Sequence, residues 1–195
     1  MGLFDLPICF LLLLFGINFK NKFKELNGYD KKLLNKLFYF HIVVGIIFYF
    51  YIITKGGDSF NYWMYPKTIT FDWLCNDIAV SNHHASNYMY LINFFFSNTL
   101  DLSFFTGTLL YCVLGYVAII YYFIILKRIV PNYNELRRFK ILSLPVFPLF
   151  FFFPNVHFWS AGIGKDTLLF FCVAIFIYSL FNIKKNLLNI IFSVI

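Results

Sequence analysis

Two short polar segments hold most of the side chains in this chain that could do chemistry. The first reads Gly56-Gly57-Asp58-Ser59-Phe60-Asn61-Tyr62-Trp63. An ionised carboxylate such as Asp58, held in a partly desolvated cleft, is suited to accept the proton of a hydroxyl. The glycine pair ends a helix and lets the backbone turn closely, so Asp58 falls about one helical turn before Tyr62 if a new helix starts there. On local sequence alone, Asp58 or Ser59 serves equally well as the N-cap of that helix in a solvated loop. Trp63, Tyr65 and Trp73 also fit the aromatic belt found at membrane surfaces.

The second segment reads Phe158-Trp159-Ser160-Ala161-Gly162-Ile163-Gly164-Lys165-Asp166-Thr167. Gly164-Lys165 invites comparison with a phosphate-binding P-loop, but that motif needs Gly at 159 and Ser or Thr at 166, where Trp and Asp stand, and no strand precedes it. An adjacent lysine and aspartate at the start of an apolar helix remain. Ionisable residues at membrane depth are costly and tend to mark function or an internal ion pair. Gly162 and Gly164 expose backbone N–H groups that can hold an anion at a helix N-terminus. The competing structural reading has Asp166 capping the helix while Lys165 reaches to water. His157, just upstream, reads as a polar residue facing a pore. His83-His84 offer metal ligands or proton carriers together with Asp77, but adjacent histidines in a loop without matching partner spacing are more often plain polar loop residues. The cysteines Cys9, Cys75, Cys112 and Cys172 are far apart, with no CxxC, so neither a zinc site nor a disulfide framework is expected. No cofactor is expected, and no ligand cluster indicates a divalent cation.

The elements that must position these groups follow from composition. Of 195 residues, 61% are hydrophobic and 13% charged, and mean hydropathy is +0.73. A soluble domain carries about 25% charged residues, because its surface must be wetted. The chain therefore belongs in a lipid bilayer. Crossing about 30 Å of hydrocarbon takes about 20 apolar helical residues. Five stretches qualify: 2–18, 37–54, 103–126, 141–159 and 167–183. A sixth begins at Leu187 and stops at Ile195, too short to cross, so the chain reads as an N-terminal fragment or one that depends on membrane-protein partners. Pro145, Pro148 and Pro154 predict that the fourth stretch is kinked or broken. The expected architecture is a polytopic, all-α membrane domain over residues 1–195. Residues 55–87 form an outer loop whose part from Phe71 to Val80 is amphipathic and lies in the interface.

The net charge of +7 acquires a direction on this map. Lys20, Lys22, Lys24, Lys31, Lys32 and Lys36 follow the first stretch. Lys127, Arg128, Arg137, Arg138 and Lys140 follow the third, and Lys184 and Lys185 the fifth. With Glu25, Asp30 and Glu135 that side totals +10; Lys55, Lys67 and Lys165 against six aspartates leave −3 on the other, which recovers +7. The positive-inside rule makes the basic side cytoplasmic and the N-terminus external. The charge is thus a topology signal, nucleic acid is not an expected partner, and Asp58, Lys165 and Asp166 share the outer face.

At these residues the chain resembles bacterial polytopic enzymes of cell-surface polysaccharide assembly, the O-antigen polymerase-like proteins and GT-C glycosyltransferases of the inner membrane. Gly57 to Tyr62 is similar to the Asp-x-x-x-Tyr element those families place just after a membrane helix. Phe158 to Asp166 is similar to a Ser-Gly-basic element that opens a later helix. The likeness covers roughly residues 37–183. It departs at Ser59, where many such enzymes carry a second acid, at Lys165, where an arginine is usual, and in the number of spans. The resemblance implies glycosyl transfer from a polyprenyl-phosphate-linked sugar. Asp58 would act as base, Lys165 with the Gly162 and Gly164 amides would stabilise the departing phosphate, and Asp166 would orient Lys165. Tyr62 and Trp63 would stack on sugar, with His157 and Trp159 also assigned to substrate binding. A non-enzymatic transporter subunit or scaffold, or an inactive truncated frame, is the alternative.

Overall fold

The computed structural model describes residues 2, 4–80, 84–130, 132–138, 140–141, 144–181 and 183–194. Among the described residues the α-helices are α1 (Asp5–Phe19), α2 (Gly28–Lys55), α3 (Asp58–Met64), α4 (Phe71–Val80), α5 (His84–Phe94), α6 (Phe104–Ile129), α7 (Val146–Leu149), α8 (Pro154–Ser160), α9 (Lys165–Leu180) and α10 (Ile183–Val194). Extended pairing among the described residues is confined to β1 (Lys140–Ile141) against β2 (Leu144–Pro145), antiparallel.

Helix α6 is the axis of the fold. Eighteen of its 26 residues are buried, and α1, α2, α8 and α9 all pack on it. Close approach depends on missing side chains: a Cβ on Gly16 would meet the Phe38 ring at 2.7 Å, and one on Gly45 would meet Cys112 Sγ at 2.7 Å. Small residues at such crossings allow dispersion contacts that drive helix association in lipid. The helices turn long apolar side chains outward, including Phe10, Leu11 and Phe15 of α1, Val43, Ile47 and Phe50 of α2, and Leu169 of α9. Large contiguous apolar patches are rare on soluble monomers.

Among the described residues, two helices are long and apolar enough to cross a membrane, α2 with 28 residues and α6 with 26, about 42 and 39 Å at 1.5 Å per residue. The other expected spans differ. Helix α1 has 15 residues and α9 has 16, about 22 to 24 Å each, short of the hydrocarbon thickness. The fourth stretch breaks as its prolines dictate, into α7, a 3₁₀ turn at Phe150–Phe152 and α8, because each proline removes a backbone donor. The terminal apolar run forms α10, which packs along α9.

Capping and charge pairing fix the two ends of the long helices. Asn27 Oδ1 accepts from Asp30 N–H at 2.9 Å and Asp30 Oδ2 accepts from Asn27 N–H at 3.0 Å, a reciprocal capping box that starts α2. The buried Asp30 carboxylate also takes Lys127 Nζ at 2.6 Å, and Glu25 receives Arg128 through Nε and Nη2 at 3.0 and 2.7 Å. At the opposite end Asp5 accepts from Ser103 N–H at 2.9 Å and Thr106 Oγ1 at 2.5 Å, tying α1 to the start of α6. Lys67 pairs with Asp101 at 2.5 Å. Each of these ion pairs joins residues that the charge count puts on one side.

Candidate functional site

The loop between α2 and α6 turns at Gly56, φ +75°, and Gly57, φ +137°. These left-handed values are open to glycine and costly for other residues. They reverse the chain at once, so that Asp58 opens α3 beside the end of α2. Gly57 is the N-cap of α3, and no side chain caps it, so neither Asp58 nor Ser59 has the capping role that local sequence allowed. Helix α9 repeats the pattern: its N-cap is Gly164, without a side-chain cap. Asp166 lies in the first turn and Lys165 is the first helical residue. Among the described residues, the carboxylates of Asp58 and Asp166 have no hydrogen-bonded partner.

The two segments meet in one cavity of about 430 Å³. Its walls are Phe48, Tyr51 and Ile52 at the end of α2, the Gly56-Gly57 turn, Asp58, Ser59 and Tyr62 of α3, Trp159, the turn Gly162 to Gly164, and Lys165 and Asp166 of α9. Lys165 Nζ lies 5.5 Å from the centre of the Tyr62 ring, within cation–π range. The approach of the turn between α8 and α9 to α2 depends on Gly162, where a Cβ would stand 2.1 Å from the Phe48 ring. Thr167 holds the turn by donating from Oγ1 to Gly162 O at 2.6 Å. The Trp159 indole N–H donates to Asn155 Oδ1 at 3.0 Å. Nearby on α5, the Tyr90 phenol is held above its ordinary pKa by burial, then by Tyr62, Tyr65 and the Asp58 and Asp77 carboxylates, so it remains a hydrogen-bond donor.

Seven of the nine expected site residues therefore line one space: Asp58, Tyr62, Trp159, Gly162, Gly164, Lys165 and Asp166. Two do not. Trp63 is fully buried, its indole N–H donating to Leu102 O at 3.0 Å, and its ring fills the place that a Cβ on Gly107 would take. It anchors α3 to α6 and presents no face to the cavity. His157 is also fully buried and meets His41 of α2 at 2.8 Å, a residue the sequence reading did not single out. Tyr51 and Ser59 are further wall residues it missed. Leu74 is the buried residue of α4, whereas Phe71, Trp73 and Val80 project outward. His83 and the side chain of His84 lie outside the described residues. Among the described residues no three His, Cys, Asp or Glu side chains gather as a metal site would require.

The cavity thus combines a carboxylate, a cation, a second carboxylate next to the cation, the free N–H groups of a helix start, and aromatic walls. Such a set can bind an anionic group at the α9 end and take up a proton at the α3 end. Neither a family model, nor a curated protein, nor a solved structure matches the chain.

Proposed function

We propose that this is a multi-pass protein of the bacterial cytoplasmic membrane, and that the cavity transfers a sugar from a polyprenyl-phosphate-linked donor during cell-surface polysaccharide assembly. The observation that carries this reading is that Asp58 and Lys165, 107 positions apart, line one cavity. Membrane placement draws support from the apolar length of α2 and α6 and from ion pairs that each stay at one end of the fold. With the basic end cytoplasmic, the cavity opens outward with the N-terminus on the same side. On this reading α1, α9 and the broken stretch around α7 and α8 complete the crossing as short segments packed on α6.

The donor phosphate sits against the first turn of α9, where Lys165 and unpaired backbone N–H groups offer positive charge. The Tyr62 and Trp159 rings face the sugar. Asp58 takes the proton of the acceptor hydroxyl as its oxygen bonds the anomeric carbon. The bond from that carbon to the phosphate oxygen breaks, and the electron pair leaves with the phosphate. Charge growing on that oxygen is what Lys165 stabilises, the kind of term that is worth most in a water-poor site. Asp166, one residue on, adds a second carboxylate to the cavity wall.

The test is Asp58→Asn, which keeps size and removes the base. With expression unchanged, surface-glycan elongation should fall by about 10²-fold or more, the usual weight of a positioned acid or base. Glycan of normal length in that variant would remove the assignment. A transport pathway draws on a different observation, the proline-broken segment around α7 and α8, since broken membrane helices line substrate routes. In that case Asp58→Asn slows export without accumulation of unextended lipid-linked sugar.

A further inference from the structure

The pair formed by His41 and His157 lies outside the cavity and is not used by the proposed reaction. His41 comes from the middle of α2 and His157 from α8, and both are fully buried. Three contacts bind them. His41 Nε2 meets Cys112 O at 2.9 Å, His157 Nε2 meets Phe151 O at 2.6 Å, and the two Nδ1 atoms face each other at 2.8 Å. A carbonyl oxygen only accepts, so each Nε2 must carry a hydrogen and donate. A neutral imidazole has one N–H, so with both spent on carbonyls both Nδ1 atoms would be bare. The ring centres are 5.0 Å apart, which is the nitrogen–nitrogen distance plus the two ring radii. The nitrogens therefore lie on the line between the centres, and their lone pairs would point at each other. The gap has room for a proton and nothing larger.

We propose that His41 and His157 form a buried proton-binding site: the three contacts hold together when one proton, beyond those of two neutral rings, is shared between the two Nδ1 atoms. Among the described residues, the surroundings leave no other source for that hydrogen. Facing groups from α6 are Cys112, whose Sγ–H is directed at His41 O at 3.6 Å, and Tyr116, whose hydroxyl donates to Leu34 O at 2.8 Å. Phe40 of α2, with Phe151 and Phe152 of the preceding turn, surrounds His157 with apolar rings and a carbonyl. Among the described residues, no carboxylate, lysine or arginine contacts either ring. Burying a charge without a counterion is costly, and here two carbonyl dipoles and the second ring are what solvate it. Loss of the proton leaves no neutral arrangement that keeps all three contacts, so one must open.

The site is placed to transmit that opening. His157 is two residues before Trp159 and five before Gly162, both walls of the cavity. Helix α8 is held closely, since a Cβ on Gly115 would meet Ser160 O at 1.9 Å and His41 Nε2 at 3.2 Å. Protonation of the pair thus clamps α8 between α2 and α6. This inference does not depend on what the cavity binds.

The experiment is solid-state nitrogen NMR of the full chain with isotope-labelled histidine in liposomes, carrying His83→Asn and His84→Asn so that only the pair reports. At about pH 7.5, a unit above the ordinary histidine value of about 6.5, the spectrum should show both Nε2 protonated. A single hydrogen should correlate with the Nδ1 atoms of both rings. In His157→Gln the amide N–H donates to His41 Nδ1 from a neutral group, and the shared-hydrogen signal should vanish. Two bare Nδ1 atoms, or one ring with a bare Nε2, would overturn the proposal.

Discussion

Asp58 and Lys165 stood out because a charged side chain in so apolar a chain is conspicuous, and the fold gives both a cavity wall. Their neighbours were harder to read. Tyr62 and Trp63 are adjacent on α3, so their side chains leave the helix about 100° apart. One reaches the cavity and the other the core, where the Trp63 ring takes the space left at Gly107 and its N–H donates to Leu102 O. His41 gave no signal at all, because a histidine inside an apolar run gains meaning only from its partner 116 residues away. Gly162 was noted for its backbone N–H, yet its missing side chain matters as much. Gly162→Ala drives a methyl into the buried Phe48 ring, and overpacking of this kind costs about 1–3 kcal/mol. Thermal unfolding in detergent should show that loss, and an unchanged midpoint would mean that the turn is not held on α2.

The long elements were legible from apolar length, and α2 and α6 cover the second and third expected spans. Shorter ones differ from the expected stretches by a few residues at each end, 2–18 being helical over Asp5–Phe19 and 167–183 over Lys165–Leu180. Apolarity measures what can sit in lipid, whereas helix ends are set by backbone geometry, such as the extended Gly164 that starts α9 or the 3₁₀ turn at Lys20–Lys22 that ends α1. The stretch between α2 and α6 folds into α3, a 3₁₀ turn, α4 and α5, with the amphipathic stretch Phe71–Val80 forming α4. Cys75 lies on that helix and is exposed, while Cys112 is buried and Cys9 and Cys172 are half-buried. If α4 lies outside, a membrane-impermeant thiol reagent labels Cys75 in intact spheroplasts. Labelling that requires permeabilisation would invert the orientation and separate the cavity from the proposed lipid-linked donor.

Across the whole molecule, a chain with few charges collects them at two ends. One end holds Asp30 with Lys127 and Glu25 with Arg128; the other holds Asp5, Lys67 with Asp101, and the cavity. The sequence could sort charges by side but not by distance, because whether Asp58 and Lys165 meet depends on the turn between α8 and α9 packing on α2 at Gly162. That meeting is the central claim, and it has a direct measurement. Glycan elongation is compared in Asp58→Asn, Lys165→Met and the double variant, at matched expression. Residues acting on one transition state are strongly non-additive, so the double variant should be no slower than the slower single one. Two losses that multiply, or single variants that elongate normally, would contradict a shared site.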